Sequence, residues 1–188
     1  MAKNLQRTQC GSLAALLCLM LAQVDSTARG TRVGMMKLDV TSSAFHNGQA
    51  IPKQYTADGK NISPPITWNS PPPGTKSIAV ICDDPDAPVG TWVHWVVYGI
   101  PGTATGLEEA IPPEKVLANG ARQGTNSFHK IGYGGPSPPP GKPHRYFFKV
   151  YAVDKDLTGE PQANAKQVED AVAGHTLAEG QLMGTYGR

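Results

Sequence analysis

From residue 36 onward the apolar positions come in short runs, rich in β-branched and aromatic side chains and cut apart by proline and glycine. That pattern predicts many short strands joined by turns. Strands are expected at Lys37–Ser42, Ser77–Cys82, Val93–Gly99 and Arg145–Val153. Residues 51–76 read as turns, with Ile51-Pro52 and Asn61-Ile-Ser-Pro-Pro65 leading into a short strand at Ile66–Trp68 that Pro71-Pro-Pro-Gly74 closes. Trp92, Trp95 and Tyr98 put large rings on both faces of one strand, which requires cover on both sides. A helical period appears at Asn164–Ala173, where Val168, Ala171 and Val172 repeat and Gly174 stops the run. A second short helix is expected to begin at Thr176. The expected fold is therefore mainly β: an antiparallel β-sandwich with a few short helices, one near the C-terminus.

The first 35 residues differ in character. Lys3 and Arg7 precede the apolar run Leu13–Ala22, and small residues follow at Ser26 and Ala28. This predicts a signal peptide over 1–28, a linker over 29–35 and the domain over 36–188. The run is about half of what a bilayer-spanning helix needs. The competing reading is that translation begins at Met35 or Met36; the first implies a secreted or periplasmic protein, the second a cytoplasmic one. Lys3, Arg7, Arg29 and Arg32 also carry the chain's basic excess, leaving residues 36–188 at a net charge of −1. Such a domain lacks the electrostatic footprint of nucleic-acid binding. Cys82 is the one cysteine within it, so no internal disulfide is available.

Two segments hold the chemistry. Asp84-Pro-Asp-Ala-Pro88 is followed by His94-Trp95, and His144-Arg-Tyr146 begins a strand in which His144 and Tyr146 project together while Arg145 points away. Two imidazoles, a phenol and nearby backbone N–H groups make a donor-rich concavity suited to a small oxyanion such as phosphate. A carboxylate from Asp84 or Asp86 would fix a histidine tautomer, and binding would strengthen as pH falls through the histidine range. The bland alternatives are a satisfied structural histidine and an ordinary Asp-Pro turn. His46, His129 and His175 read as surface or loop residues. A zinc site on His94, His144 and an aspartate lacks the usual ligand spacing, and the chain has no Gly-x-Ser-x-Gly elbow, P-loop or dinucleotide fingerprint. No metal, no cofactor and no catalytic residue are expected; general acid/base catalysis by the histidine pair ranks behind binding.

At these residues the chain resembles the phosphatidylethanolamine-binding protein family, also called Raf kinase inhibitor protein-like, and specifically its bacterial and archaeal YbhB/YbcL branch. The resemblance covers Met36–Arg188. It rests on Asp84-Pro-Asp-Ala-Pro88 with His94-Trp95, on His144-Arg-Tyr146, on Gly132-Tyr-Gly-Gly-Pro136 before a proline loop, and on Asn61-Ile-Ser-Pro-Pro65 with Trp68. It implies a non-catalytic binding or regulatory protein whose small pocket takes phosphate-like anions, phosphorylated small molecules or phospholipid head groups. Asp84, His94, His144 and Tyr146 would form that pocket, with Asp86, Pro88, Gly135, Pro136 and Pro138 as walls. Relatives also imply a homodimer, and inhibition of a kinase or protease is the alternative function. One departure is Asn126-Ser127-Phe128, where the branch typically has Asn-Asp-Phe.

Overall fold

The protein is described by a computed structural model over residues 36–159 and 162–188. The expected signal peptide and linker lie outside the described residues. In chain order the strands are β1 (Met36–Lys37), β2 (Val40–Thr41), β3 (Ile66–Trp68), β4 (Ser77–Asp84), β5 (Trp92–Pro101), β6 (Gly106–Leu107), β7 (Arg122–Thr125), β8 (His144–Val153), β9 (Gln162–Asn164) and β10 (Thr176–Tyr186), with a short 3-10 helix at Lys53–Tyr55 and one α-helix, α1 (Ala165–Val172), between the last two strands. A seven-stranded sheet runs β1-β10-β8-β4-β5-β7-β9 and a three-stranded sheet runs β2-β3-β6. Pairing is antiparallel except at the two edges of the large sheet, where β1–β10 and β7–β9 are parallel.

The main core lies between the sheets. Val40, Ile66, Trp68 and Leu107 from the small sheet meet Ile78, Val80, Trp95, Val97, Phe148, Val150 and Leu182 from the large one. Each fully buried Val, Leu or Ile side chain there contributes about 1.5–3 kcal/mol. On the other face of the large sheet, Ala79, Ile81, Val96 and Tyr98 are covered by Val168 and Val172 of α1. Asn164 caps that helix by accepting from the Gln167 N–H while the Gln167 side chain accepts from the Asn164 N–H, which makes a capping box.

The expected strand at 37–42 is divided: Met36–Lys37 pairs in the large sheet and Val40–Thr41 in the small one, so this segment links the layers. The helix expected from Thr176 is instead the eleven-residue strand β10, with partners on both sides. Leu, Ala, Glu, Gln and Met there favour helices in isolation. The buried positions, however, alternate as Ala178, Leu182 and Gly184 against exposed Glu179 and Gln181, which is the period of a strand. Gly180 is required in it, because a Cβ would lie 2.1 Å from the Leu38 carbonyl oxygen.

Candidate functional site

Strand alternation separates two adjacent acids at the end of β4. Asp83 points to the outer face and pairs with Lys149 of β8. Asp84 points to the inner face, where its Oδ2 accepts from His144 Nδ1 at 2.8 Å and its Oδ1 accepts from the Asp86 N–H at 2.8 Å. Both Asp84 oxygens are therefore occupied, one fixing a histidine and one fixing the Pro85 turn. Asp86 faces the other way. Its carboxylate takes a two-pronged hydrogen bond from Arg145 and another from the Arg145 backbone N–H, and the guanidinium holds its carboxyl down at about 2. This ties the Asp-Pro-Asp turn to the start of β8.

His94 sits at a β-bulge. The register between β4 and β5 steps from Cys82–Trp95 to Asp83–Val93, leaving His94 as the extra residue. A bulge re-aims side chains. Here it lets His94 and Trp95, adjacent in sequence, both serve the inner side: Trp95 in the core, His94 at its edge. The loop after β7 holds the ring. His94 Nδ1 donates to the Gly134 carbonyl at 2.6 Å and the Gly134 N–H donates to the His94 carbonyl at 2.9 Å. Gly134 is itself anchored by its neighbours, because the Gly135 N–H donates to Asn61 Oδ1, the Pro136 carbonyl accepts from the Ala57 N–H, and the Tyr133 hydroxyl donates to the Tyr55 carbonyl. Asn126 shapes the start of the loop through bonds to Gly132, Phe128 and Lys130. At the departure from the family pattern, Ser127 Oγ accepts from the Val93 N–H and its own N–H donates to the Val93 carbonyl, so a hydroxyl closes the strand end without an acid.

These elements enclose a cavity of about 250 Å³, lined by Asp84, His94, His144 and Tyr146 together with Pro88, Trp92, Phe128 and Pro138. All four residues expected to form the pocket meet there, and of the expected walls Pro88 and Pro138 line it. Asp86 lines an adjacent cavity of about 330 Å³ on the other side of His144. Gly135 and Pro136 stand behind the surface as buried anchors of the loop rather than as lining. The apolar rim of Val89, Trp92 and Phe128 went unnoticed in the sequence. Trp92 had a signal, being two residues before His94 in a strand; Phe128 had none. A larger groove of about 940 Å³ follows the β1–β10 edge and is lined by Lys37 of β1 and by Lys149 and Tyr151 on the outer face of the sheet, with no histidine.

Tyr146 is 1% exposed, and its hydroxyl, beside the Asp84 carboxylate, makes no hydrogen bond of normal geometry among the described residues. Burial first, then the nearby Asp84 carboxylate, raise the phenol well above its ordinary 10, so it remains a donor. Its ring meets His94 edge-on, with centroids 5.2 Å apart. Burial also lowers the His94 imidazole below the ordinary 6.5, against the opposing pull of the Gly134 carbonyl and of Asp84. The folded state thus takes up a proton at His94 less readily than the unfolded chain. The resulting stability is complete above about pH 6.5 and is lost as pH falls toward the lowered folded value. Urea unfolding at pH 7.5, 6 and 5 should show that loss in the parent protein and a smaller one in His94→Asn; equal slopes would contradict it. Among the described residues no group of three or more His, Cys, Asp or Glu could hold a metal ion, and no helix is long and apolar enough to cross a membrane.

Comparison with known proteins converges. The family model for phosphatidylethanolamine-binding protein matches residues 41–187. A UPF0098 protein of Methanothermobacter thermautotrophicus is 48% identical over 151 residues, covering 80% of this chain and 99% of its own. One from Aquifex aeolicus is 50% identical over 155 residues, covering 80% and 89%. Among solved structures, Escherichia coli YbcL, described as a member of the mammalian family, superposes with a TM-score of 0.74 at 33% identity, over 81% of this chain and 99% of its own. A homolog from Chlamydia trachomatis gives 0.73 at 38% identity, covering 81% and 98%.

Proposed function

The chain belongs to the phosphatidylethanolamine-binding protein family, and from that premise we propose that it is a non-catalytic binding protein whose Asp84–His94–His144–Tyr146 pocket holds a phosphate-type anion, free or as part of a phospholipid head group. The observation that carries this reading is the convergence of Asp84, His94, His144 and Tyr146 on one small cavity, with the buried Tyr146 hydroxyl beside Asp84 and in no hydrogen bond of normal geometry. An unsatisfied buried hydroxyl costs about 1–3 kcal/mol, which an acceptor entering the cavity removes. An oxyanion supplies that acceptor with others to spare for N–H groups.

Binding fits the groups present better than turnover does. Ser137 at the rim is exposed and is hydrogen-bonded to neither histidine, so no activated nucleophile stands over the cavity. The His144 ring is oriented by Asp84 and the His94 ring by a backbone carbonyl, an arrangement that fixes direction. Calorimetric titration of the full chain with inorganic phosphate and with phosphoethanolamine tests the proposal. Saturable binding that is tighter at pH 6 than at pH 8, and weakened at least about tenfold by His144→Ala, is the expected result. No saturable binding at either pH would overturn it.

A further inference from the structure

The proline loop that walls the pocket is held at both ends by one short segment from elsewhere in the chain. Pro138, Pro139, Pro140 and Pro143 carry no backbone N–H, so residues 137–143 have few donors with which to fix themselves. Adjacent prolines are also stiff, so the stretch moves as a unit and its ends set its position. Pro138 and Pro139 face the cavity of Tyr146 and the two histidines, and Pro139, Pro140 and Pro143 face the neighbouring cavity beside His144. The leading end is fixed by Asn61, which accepts from the Gly135 N–H, and by Ala57, which donates to the Pro136 carbonyl. The trailing end is fixed less directly. Gly187 lies against Pro143, where a Cβ would come within 2.9 Å of the ring, and the Gly141 N–H donates to the Arg188 carbonyl at 3.5 Å. Tyr186 and Arg188 in turn converge on Asp58: the Tyr186 hydroxyl and Arg188 Nε each donate to its Oδ2 at 2.8 Å, and Arg188 Nη2 donates to its Oδ1 at 2.5 Å. Asp58 itself rides on a rigid turn. Its N–H donates to Thr56 Oγ1, which donates to the Lys53 carbonyl, and Thr56 is fully buried. Residues 57–61 therefore reach both ends of the wall.

We infer that Asp58 is a positioning residue for the ligand: by holding Tyr186 and Arg188 it sets the trailing end of the proline wall, and with it the time a bound anion stays. The inference rests on the anion-pocket reading above and deepens it, since Asp58 lines neither cavity and acts only through the wall. The groups that face Asp58 are Arg188, Tyr186 and Lys53. The two-pronged guanidinium, with the phenol beside it, holds the Asp58 carboxyl down at about 2. The clamp therefore keeps its charge through the whole histidine range, and its effect on ligand release is the same at pH 6 as at pH 8. Both side chains of the ion pair are partly open to water, which limits the effect to a few fold. It falls on release because a closed wall delays departure, while entry already meets an open mouth.

The test is an NMR titration of the full chain with phosphoethanolamine, read for its exchange rates. Asp58→Ala and Arg188→Gln should each raise the dissociation rate at least about threefold and leave the association rate unchanged. The ratio to the parent should be equal at pH 6 and pH 8. The double variant should release ligand no faster than Asp58→Ala alone, because both substitutions open the same clamp. In the free protein the amide signals of Ser137, Gly141 and Lys142 should shift in Arg188→Gln while those of α1 stay in place, a pattern that a general loss of stability does not give. Unchanged dissociation in both single variants, additive effects in the double variant, or unmoved loop amides overturns the inference and leaves the anion pocket standing. No saturable binding by the parent overturns the pocket reading and this inference with it. Should Asp58→Ala fail to fold, Arg188→Gln decides by itself, since that side chain is exposed.

Discussion

Replacing Gln123 with leucine will lower the unfolding free energy by about 3 kcal/mol or more, seen as a reduced urea midpoint at unchanged slope. Gln123 is fully buried on β7. Its Oε1 accepts from the Trp95 indole N–H at 2.8 Å, and its Nε2 donates to the carbonyls of Pro112 and Glu114 at 2.7 and 2.8 Å. One side chain thus satisfies the largest ring of the core and pins the 112–114 segment to the large sheet. Leucine fills much the same space and satisfies none of it. The Pro112 carbonyl retains the Glu114 N–H, so the indole N–H and the Glu114 carbonyl bear the loss, at about 1–3 kcal/mol each. A drop below about 1 kcal/mol would mean that the indole finds another acceptor.

The second large effect falls on ligand affinity. Asp84→Ala removes the acceptor for both the His144 ring and the Asp86 N–H, so phosphate binding should weaken at least about tenfold, or about 1.4 kcal/mol, with some loss of stability besides. Asp84→Asn is the sharper comparison. The amide oxygen can still hold the Asp86 N–H, but its NH2 faces His144 Nδ1 and can only donate. The ring must then move its proton to Nε2. Stability should be close to that of the parent, while phosphate affinity changes with the tautomer of the ring. If alanine and asparagine variants bind alike and as tightly as the parent, Asp84 has no part in orienting the ring.

Most of the pocket was legible because its residues sit in short, local patterns. His144 and Tyr146 share a face by the two-residue period of a strand, and the Asp-Pro-Asp turn announces itself through its prolines. Which acid meets which base was not legible. Asp84 and Asp86 were equal candidates for orienting a histidine, and only the end of β4, reaching two residues further than the apolar run suggests, puts Asp84 inward and leaves Asp86 to Arg145. Gln123 was invisible for a related reason. It lies in Arg-Gln-Gly-Thr with no apolar periodicity, and its partner Trp95 is 28 residues away. Gly135 and Pro136 were read as lining because they belong to the loop; their hydrogen bonds turn them toward residues 57–61. In β10 the intrinsic preferences of Leu, Ala, Glu, Gln and Met gave way to pairing with β1 and β8, a tertiary override that local propensity does not encode.

The bulge at His94 bears on how such a pocket can change over generations. Because His94 is supernumerary in the ladder, its buried side chain turns to the pocket wall, where it packs on Tyr146 and Phe128 and holds Gly134, whereas Trp95 beside it fills the core. A substitution at position 94 is therefore felt at the pocket wall and the loop it holds. Position 95 stays under selection for folding. Neighbouring codons thus answer to different mixtures of pressure, the ligand and the loop at 94 and the core at 95.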